Sequence, residues 1–251
     1  MKRFAECRAR GLAGRDHGVT MVELVITVVL LGVLTAAVAG LTIAARTSNA
    51  ETVSRLDQVN AARTAVEGVS RTVRASVKQG QIITCATCAT DAFVVGQDFQ
   101  VRFYANIDNP SNSVGPSLVT YSVAAAGPDA GNLIEKILIP NSNHSDPATG
   151  YAYCDPDGAS PSVDCLSRQQ RRVLATGVVT TPGKPVFRYF DAASNPLVPI
   201  GSLTAGQLGS VLSIEVQVTV QSTRATKPRT TTYIQRMLLP NAKSVIQQDT
   251  P

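Results

Sequence analysis

The residues best suited to chemistry in this 251-residue chain are its five cysteines and two histidines. Cys85 and Cys88 form a C-x-x-C pattern, which suits a redox thiol pair, half of a zinc site or a short disulfide loop. A redox motif normally opens a helix after a strand, and zinc needs a second compact pair. Because ten residues separate Cys154 from Cys165, we expect two structural disulfides, with zinc and redox chemistry as the alternatives.

Other candidates for catalysis or metal binding are sparse. His144 by itself builds neither a catalytic triad nor a metal site, and its turn-rich surroundings predict an exposed residue. The sequence Asp155-Pro156-Asp157-Gly158 resembles a fragment of a calcium loop but lacks the rest of the ligand series, so it predicts a turn. We therefore expect no enzyme, no cofactor and no metal site.

Arg168, Arg171 and Arg172 form a basic cluster late in the chain. An ion-paired or solvated surface is the favoured interpretation, and binding of nucleic acid is the alternative. The formal net charge of +5 gives little support to nucleic-acid binding. Residues 1–18 hold five basic and two acidic residues, so a formal +3 of that charge belongs to this segment.

A long apolar run follows that basic segment. The 22 residues of Leu24–Ala45 carry no charge, and at about 1.5 Å a residue they form roughly 33 Å of helix, enough to cross a bilayer. Basic residues beside an apolar span tend to stay in the cytoplasm, which predicts a single-pass protein with its N-terminus inside. Glu23 lies just inside the apolar stretch, where an unpaired carboxylate is unfavourable.

The stretch Gly18–Leu34 resembles the prepilin N-terminal signal, whose usual form is Gly-Phe-Thr-Leu-x-Glu followed by an apolar helix. Gly18 matches the glycine before the cleavage site, Thr20 matches the threonine, and Glu23 matches the glutamate. The departure is Val19, which stands where phenylalanine is commonest.

This resemblance implies a set of processing and assembly roles. A membrane prepilin peptidase would cleave the Gly18–Val19 bond and methylate the new N-terminus at Val19. Glu23 would then pair with the N-terminus of a neighbouring subunit. Two other interpretations are an ordinary secretory signal cleaved after Ala37-Val38-Ala39 and an uncleaved anchor. Neither accounts for the Gly-Val-Thr-Met-Val-Glu arrangement.

The sequence divides into a leader (1–18), a transmembrane and fibre-core helix (19–45), an amphipathic continuation of that helix (46–80) and a globular head (81–251). Recurring apolar residues predict one helix from about Val19 to Gln79, with Gly80 as its end. The predicted head-facing stripe is Val53, Leu56, Val59, Val66, Val69, Val73 and Val77, interrupted by Arg63.

After Gly80 the apolar period changes to two, which is typical of strands. The clearest alternation is Leu212–Val220. Turn-rich clusters separate the segments, and Asn141–Ser167 predicts a long surface loop. The other predicted strands are 92–95, 100–106, 118–124, 133–139, 172–179, 186–190 and 231–239. The predicted fold class is α+β, with the long helix packed on a largely antiparallel sheet.

Segments of the head, including VRFYANI, SLVTYSV and NLIEKIL, are similar to J-type and PilW-like minor pseudopilins. The expected function is that of a non-enzymatic minor pilin or pseudopilin of a type IV pilus or type II secretion pseudopilus. Its partners would be prepilin peptidase, other pilin subunits and membrane lipid. The precursor would lie in the inner membrane and the processed subunit in a periplasmic or surface fibre. The alternative is a membrane-anchored or secreted binding domain outside any fibre.

Overall fold

The computed structural model describes residues 18–83, 88, 91–221 and 230–239. By its internal contacts the chain divides into two units, with the division between Ala50 and Glu51. The long helix α1, Met21–Arg74, contributes residues to both units.

In the first unit, the described residues 18–50 are exposed throughout. The apolar part of α1 is long and apolar enough to cross a membrane. An exposed apolar surface of this length is unfavourable in water, so a lipid or protein environment must cover it.

In the second unit, one side of α1 is buried. Its core residues are small or β-branched and recur at helical spacing: Ala62, Ala65, Val66, Val69 and Val73. Part of the predicted stripe is wrong, because Val53 and Leu56 are exposed. At 100° a residue, Val53 lies about 140° around the helix from Val66. Arg63 is also exposed, and its Nε lies 2.7 Å from the Glu67 carboxylate.

The predicted end of α1 at Gln79 is also wrong, because the helix ends at Arg74. The chain turns there to pair with a strand: the Asn106 N–H donates to the Ala75 carbonyl at 2.9 Å, and the Val77 N–H donates to the Tyr104 carbonyl at 2.9 Å. These long-range hydrogen bonds replace the helical ones. Gly80 lies in the short 3₁₀ turn Gln79–Gln81.

The first five strands form an antiparallel sheet in which each strand pairs with its neighbours along the chain. Such a meander needs only short connections, apart from the long segment before its last strand. The strands are β1 Phe93–Gly96, β2 Gln100–Ala105, β3 Ser117–Val123, β4 Leu133–Leu138 and β5 Gln169–Ala175.

The remaining strands form a second antiparallel sheet in the order β7-β6-β8-β9. Strand β9 lies along α1, since the Thr231 hydroxyl donates to Gln58 at 3.2 Å and the Gln235 amide donates to the Ser70 hydroxyl at 3.4 Å. The strands are β6 Phe187–Phe190, β7 Pro196–Leu197, β8 Ser213–Gln221 and β9 Thr230–Leu238.

Backbone hydrogen bonds tie the two sheets together. The Val179 N–H donates to the Thr219 carbonyl at 2.8 Å, and the Phe187 N–H donates to the Asp98 carbonyl at 3.0 Å. Side chains from α1 and both sheets share one apolar core. Two short helices complete the unit, α2 Val163–Ser167 and α3 Ala205–Leu208.

The predicted α+β fold class, with its long N-terminal helix and antiparallel sheets, is confirmed. Predicted strands match observed ones to within a few residues, except that β5 begins at Gln169 and ends at Ala175, whereas 172–179 was expected. Strand β7 was not predicted, because two residues are too few to show a period. The four proposed segments of the chain stay a prediction.

Gly150 provides a test of the packing between the 139–162 segment and the 3₁₀ turn Gln79–Gln81. Its φ is +83°, and an added Cβ would contact Gln79 Oε1 and lie 3.0 Å from Cys88 Sγ. Gly127 has a φ of +88° but open space around it. We expect Gly150→Ala to lower the free energy of unfolding by about 2–3 kcal/mol and Gly127→Ala by about 1 kcal/mol. Urea unfolding measures both, and equal losses would contradict the clash.

Candidate functional site

The residues around the predicted cleavage site lie just before α1. Gly18, Val19 and Thr20 are non-helical, and Thr20 caps the helix: its carbonyl and its hydroxyl accept the Glu23 N–H at 3.0 and 3.3 Å. A threonine followed three residues later by glutamate is the capping-box pattern. The cap therefore fixes the helix start at Met21 and leaves the Gly18–Val19 peptide bond outside the helix.

Glu23 occupies the first turn of α1 and is exposed. The unpaired N–H groups of a helix start carry a partial positive charge, so a carboxylate there is favourable by about 0.3–1 kcal/mol in water. Glu23 therefore has a local role that needs no second subunit, and its predicted pairing role is additional to this one. The predicted roles of Gly18, Val19 and Glu23 remain predictions.

The apolar part of α1 contains threonines whose hydroxyls are satisfied within the helix. Each donates to a carbonyl one turn earlier, at 2.8 Å for Thr27 to Leu24 and 2.8 Å for Thr42 to Val38. Thr35 and Thr47 do the same. A hydroxyl without a partner is costly in hydrocarbon. The polar residues of the span therefore leave it compatible with lipid, which hydropathy alone did not show.

A disulfide joins Cys154 to Cys165, with a Cα–Cα distance of 5.9 Å. Cys165 is buried in α2, and its N–H donates to the Ser162 hydroxyl at 3.1 Å. The bridge ties the 139–162 segment to α2, in keeping with the structural role expected of this pair. Cys88 is also disulfide-bonded. Cys85 lies outside the described residues, so its pairing with Cys88 stays a prediction.

The three arginines of the basic cluster, Arg168, Arg171 and Arg172, all form ion pairs. Arg168 lies 2.9 Å from Asp164, Arg171 lies 2.5 Å from Asp129, and Arg172 lies 2.8 Å from Glu135. These carboxylates neutralise the cluster, which weakens the electrostatic case for binding nucleic acid.

Glu135 is the acidic residue that our sequence analysis missed. Its side chain is only 3% exposed. It accepts a hydrogen bond of 2.6 Å from the Tyr121 hydroxyl while its other oxygen faces Arg172. Burial, and then the nearby carboxylate, raise the pKa of Tyr121 well above its usual value, so the phenol stays a donor. The alternation of residues in β4 could have indicated that Glu135 is buried, because it places Glu135 on the same face of the strand as Leu133.

The remaining candidates do not form a metal site. His144 is exposed. The Asp155–Gly158 segment is a turn, in which the Asp157 N–H donates to Asp155 at 3.2 Å. Within the described ranges, no group of three or more histidine, cysteine, aspartate or glutamate side chains is placed to hold a metal.

Comparison with known families finds a match for the N-terminal segment of the chain. Residues 14–39 match the family model of the prokaryotic N-terminal methylation motif. The match and the apolar helix support a prepilin-like N-terminus, and they point to a pilin- or pseudopilin-like precursor that prepilin peptidase processes. Proteins for which this motif is typical are structural pilins.

The match covers 26 of the 251 residues and includes none of the head. No curated protein and no solved structure matches the chain. The assignment therefore depends on the motif and on the apolar helix that follows it.

Neighbouring arginines in β5 allow a matched test of the buried carboxylate. Arg172→Gln leaves the charge of Glu135 buried without its cation, so we expect a loss of about 1–3 kcal/mol in the free energy of unfolding. Arg171→Gln breaks a pair in which both side chains are more than 40% exposed, and should cost less than about 0.5 kcal/mol. Chemical denaturation measures both variants, and equal losses would show that burial of Glu135 does not matter.

Proposed function

We propose that this chain is a minor pilin or pseudopilin that is cleaved between Gly18 and Val19, methylated at Val19 and assembled into a type IV pilus or a type II secretion pseudopilus. The observation that carries the proposal is the match of residues 14–39 to the N-terminal methylation motif. Cleavage at this bond removes the basic leader and leaves Val19 two residues before the first helical residue.

The structure supports the proposal through the properties of α1. Its apolar residues are exposed within the first unit, as a fibre-core or membrane helix requires. Its second half contributes a buried face to the head. A subunit of this kind performs no reaction. It moves from lipid into a bundle of similar helices, where apolar contacts with neighbouring subunits replace contacts with lipid tails.

Glu23 would set the register of that bundle. A charged carboxylate among apolar helices is costly unless a cation neutralises it. Cleavage creates such a cation at Val19, because the methylated N-terminal amine remains protonated. In the same subunit this amine competes with the positive end of the helix for Glu23. In a neighbouring subunit displaced along the fibre, it can approach Glu23 directly and offset the cost of burying both charges.

The processing step predicts a defined new N-terminus. In cells with prepilin peptidase, the protein should begin at Val19, with a mass increase of about 14 Da from one methyl group. Gly18→Val places a β-branched side chain at the cleavage site and should leave the leader in place. The control Gly11→Val, within the leader, should be processed normally.

Intact mass and N-terminal sequencing measure this outcome. A chain that begins at Gly40 would identify a secretory signal. A chain that keeps its leader in the presence of active peptidase would identify a simple anchor. Either result overturns the proposal.

The pairing role predicts an assembly defect without a processing defect. Glu23→Gln preserves size but removes the charge, so the processed subunit should fall by tenfold or more in the sheared fibre fraction. Loss of the helix-dipole contribution, about 0.3–1 kcal/mol, accounts for at most about fivefold. Glu51→Gln, exposed on the same helix, is the control and should assemble normally. Immunoblots of fibre and membrane fractions measure the ratio, and normal incorporation of Glu23→Gln would refute the pairing.

A further inference from the structure

The five-stranded sheet carries a cleft on the face turned away from the core. Its volume is about 480 Å³, within the range of small-molecule sites. Strands β2 to β5 form the floor, and residues 153–157 form one wall. The apolar core occupies the opposite face of the same strands, so this cleft is separate from every residue assigned to processing or assembly.

Strand register places the floor residues in two rows. Arg102, Thr120 and Lys136 are direct cross-strand neighbours and form a polar row. Leu118 and Leu138 are opposite each other in the adjacent row and supply an apolar strip. Because facing residues of neighbouring strands lie about 5 Å apart, the polar row and the apolar strip run side by side across the sheet.

The wall is held in place by contacts of several kinds. The Tyr153 hydroxyl donates to the Pro116 carbonyl at 2.5 Å, and its ring lies 5.6 Å from that of Tyr104. The next residue, Cys154, is fixed by the disulfide. At the far end of the wall, Lys136 Nζ lies 2.6 Å from the Asp157 carboxylate. These contacts shape the cleft before any ligand arrives, which lowers the entropic cost of binding.

The charges of the cleft are balanced but not all paired. Its lining includes the cations Arg102 and Lys136 and the carboxylates Asp155 and Asp157. Lys136 and Asp157 neutralise each other. Arg102 Nε donates to the Thr120 hydroxyl at 3.0 Å, and Asp155 accepts the Asp157 N–H. Among the described residues, neither Arg102 nor Asp155 forms an ion pair.

A cation and a carboxylate that lack an ion-pair partner in one cleft select the chemistry of the ligand. A ligand that carries charge of one sign only would satisfy one of the two groups and oppose the other. A neutral hydroxyl group both donates and accepts, so a ligand with several hydroxyls can serve Arg102 and Asp155 without opposing either. The apolar strip beside them accommodates a C–H surface. A ring that carries hydroxyls along its edge and C–H groups on its face combines these properties.

We propose that this cleft binds a neutral saccharide, with ring hydroxyls bonded to Arg102 and Asp155 and a C–H face packed on Leu118 and Leu138. The proposal goes beyond assembly into a fibre and does not depend on it, because the cleft belongs wholly to the second unit. It gives the head a binding activity that the methylation motif does not indicate.

Saturation-transfer NMR on the full-length protein tests the proposal, in a detergent whose headgroup is not a sugar. The neutral probes are maltose, cellobiose, lactose and N,N′-diacetylchitobiose. Glucuronic acid and glucosamine are the charged sugars used for comparison. At least one neutral disaccharide should bind with a Kd on the order of 1 mM, more tightly than either charged sugar.

Three variants locate the binding. Arg102→Gln and Asp155→Asn should each weaken it by about tenfold, because each replaces a charge-assisted hydrogen bond by a neutral one. Asparagine can still accept the Asp157 N–H, so the turn is kept. Arg171→Gln, on the same face but outside the cleft, is the control and should bind normally. Thermal unfolding checks that every variant is folded.

Three results would overturn the proposal. The first is no binding of any neutral disaccharide up to about 20 mM, a concentration that would detect even a weak site. The second is tighter binding of a charged sugar than of every neutral one. The third is unchanged affinity in folded Arg102→Gln and Asp155→Asn, which would place the saccharide elsewhere on the surface.

Discussion

The second unit depends on burial of one narrow face of α1 against side chains from both sheets. Neither sheet can exclude water from its core face by itself, since each is a single antiparallel layer. Ala62, Ala65, Val66, Val69 and Val73 supply that face and are almost fully buried. With those residues in place, the same core includes large side chains from both sheets, among them Phe103, Tyr121, Phe187 and Tyr189.

Charged side chains have different partners in different parts of the chain. Several carboxylates that face solvent, such as Glu67 and Asp129, pair with arginine at little net energy. Glu135 is instead held in the protein interior by a phenol and a guanidinium, where each partner is needed. Glu23 has a helix start in place of a side-chain partner. The outer cleft combines Arg102 and Asp155, neither of which forms an ion pair, with an apolar strip, and that combination makes it a candidate site.

Most of the fold could be predicted because its signals are local. Alternating apolar and polar residues predicted the strands, and a run of 22 uncharged residues predicted the apolar helix. The motif around Gly18 and Glu23 is also short and continuous. The helix end could not be predicted, because Arg74 is the last helical residue only through hydrogen bonds to β2, which begins 26 residues later. The cleft joins Arg102 to Asp155 across more than fifty residues, and no spacing rule relates them.

The junction between the end of α1 and β2 has a mechanical consequence. Just after Arg74, backbone hydrogen bonds join Ala75 to Asn106 and Val77 to Tyr104. Tension along α1 therefore reaches an internal strand of a five-stranded sheet, where neighbouring strands on both sides share the load. Several hydrogen bonds and the buried helix face must fail together before the helix detaches. Within the second unit, the buried part of α1 and the sheet therefore resist a pull together.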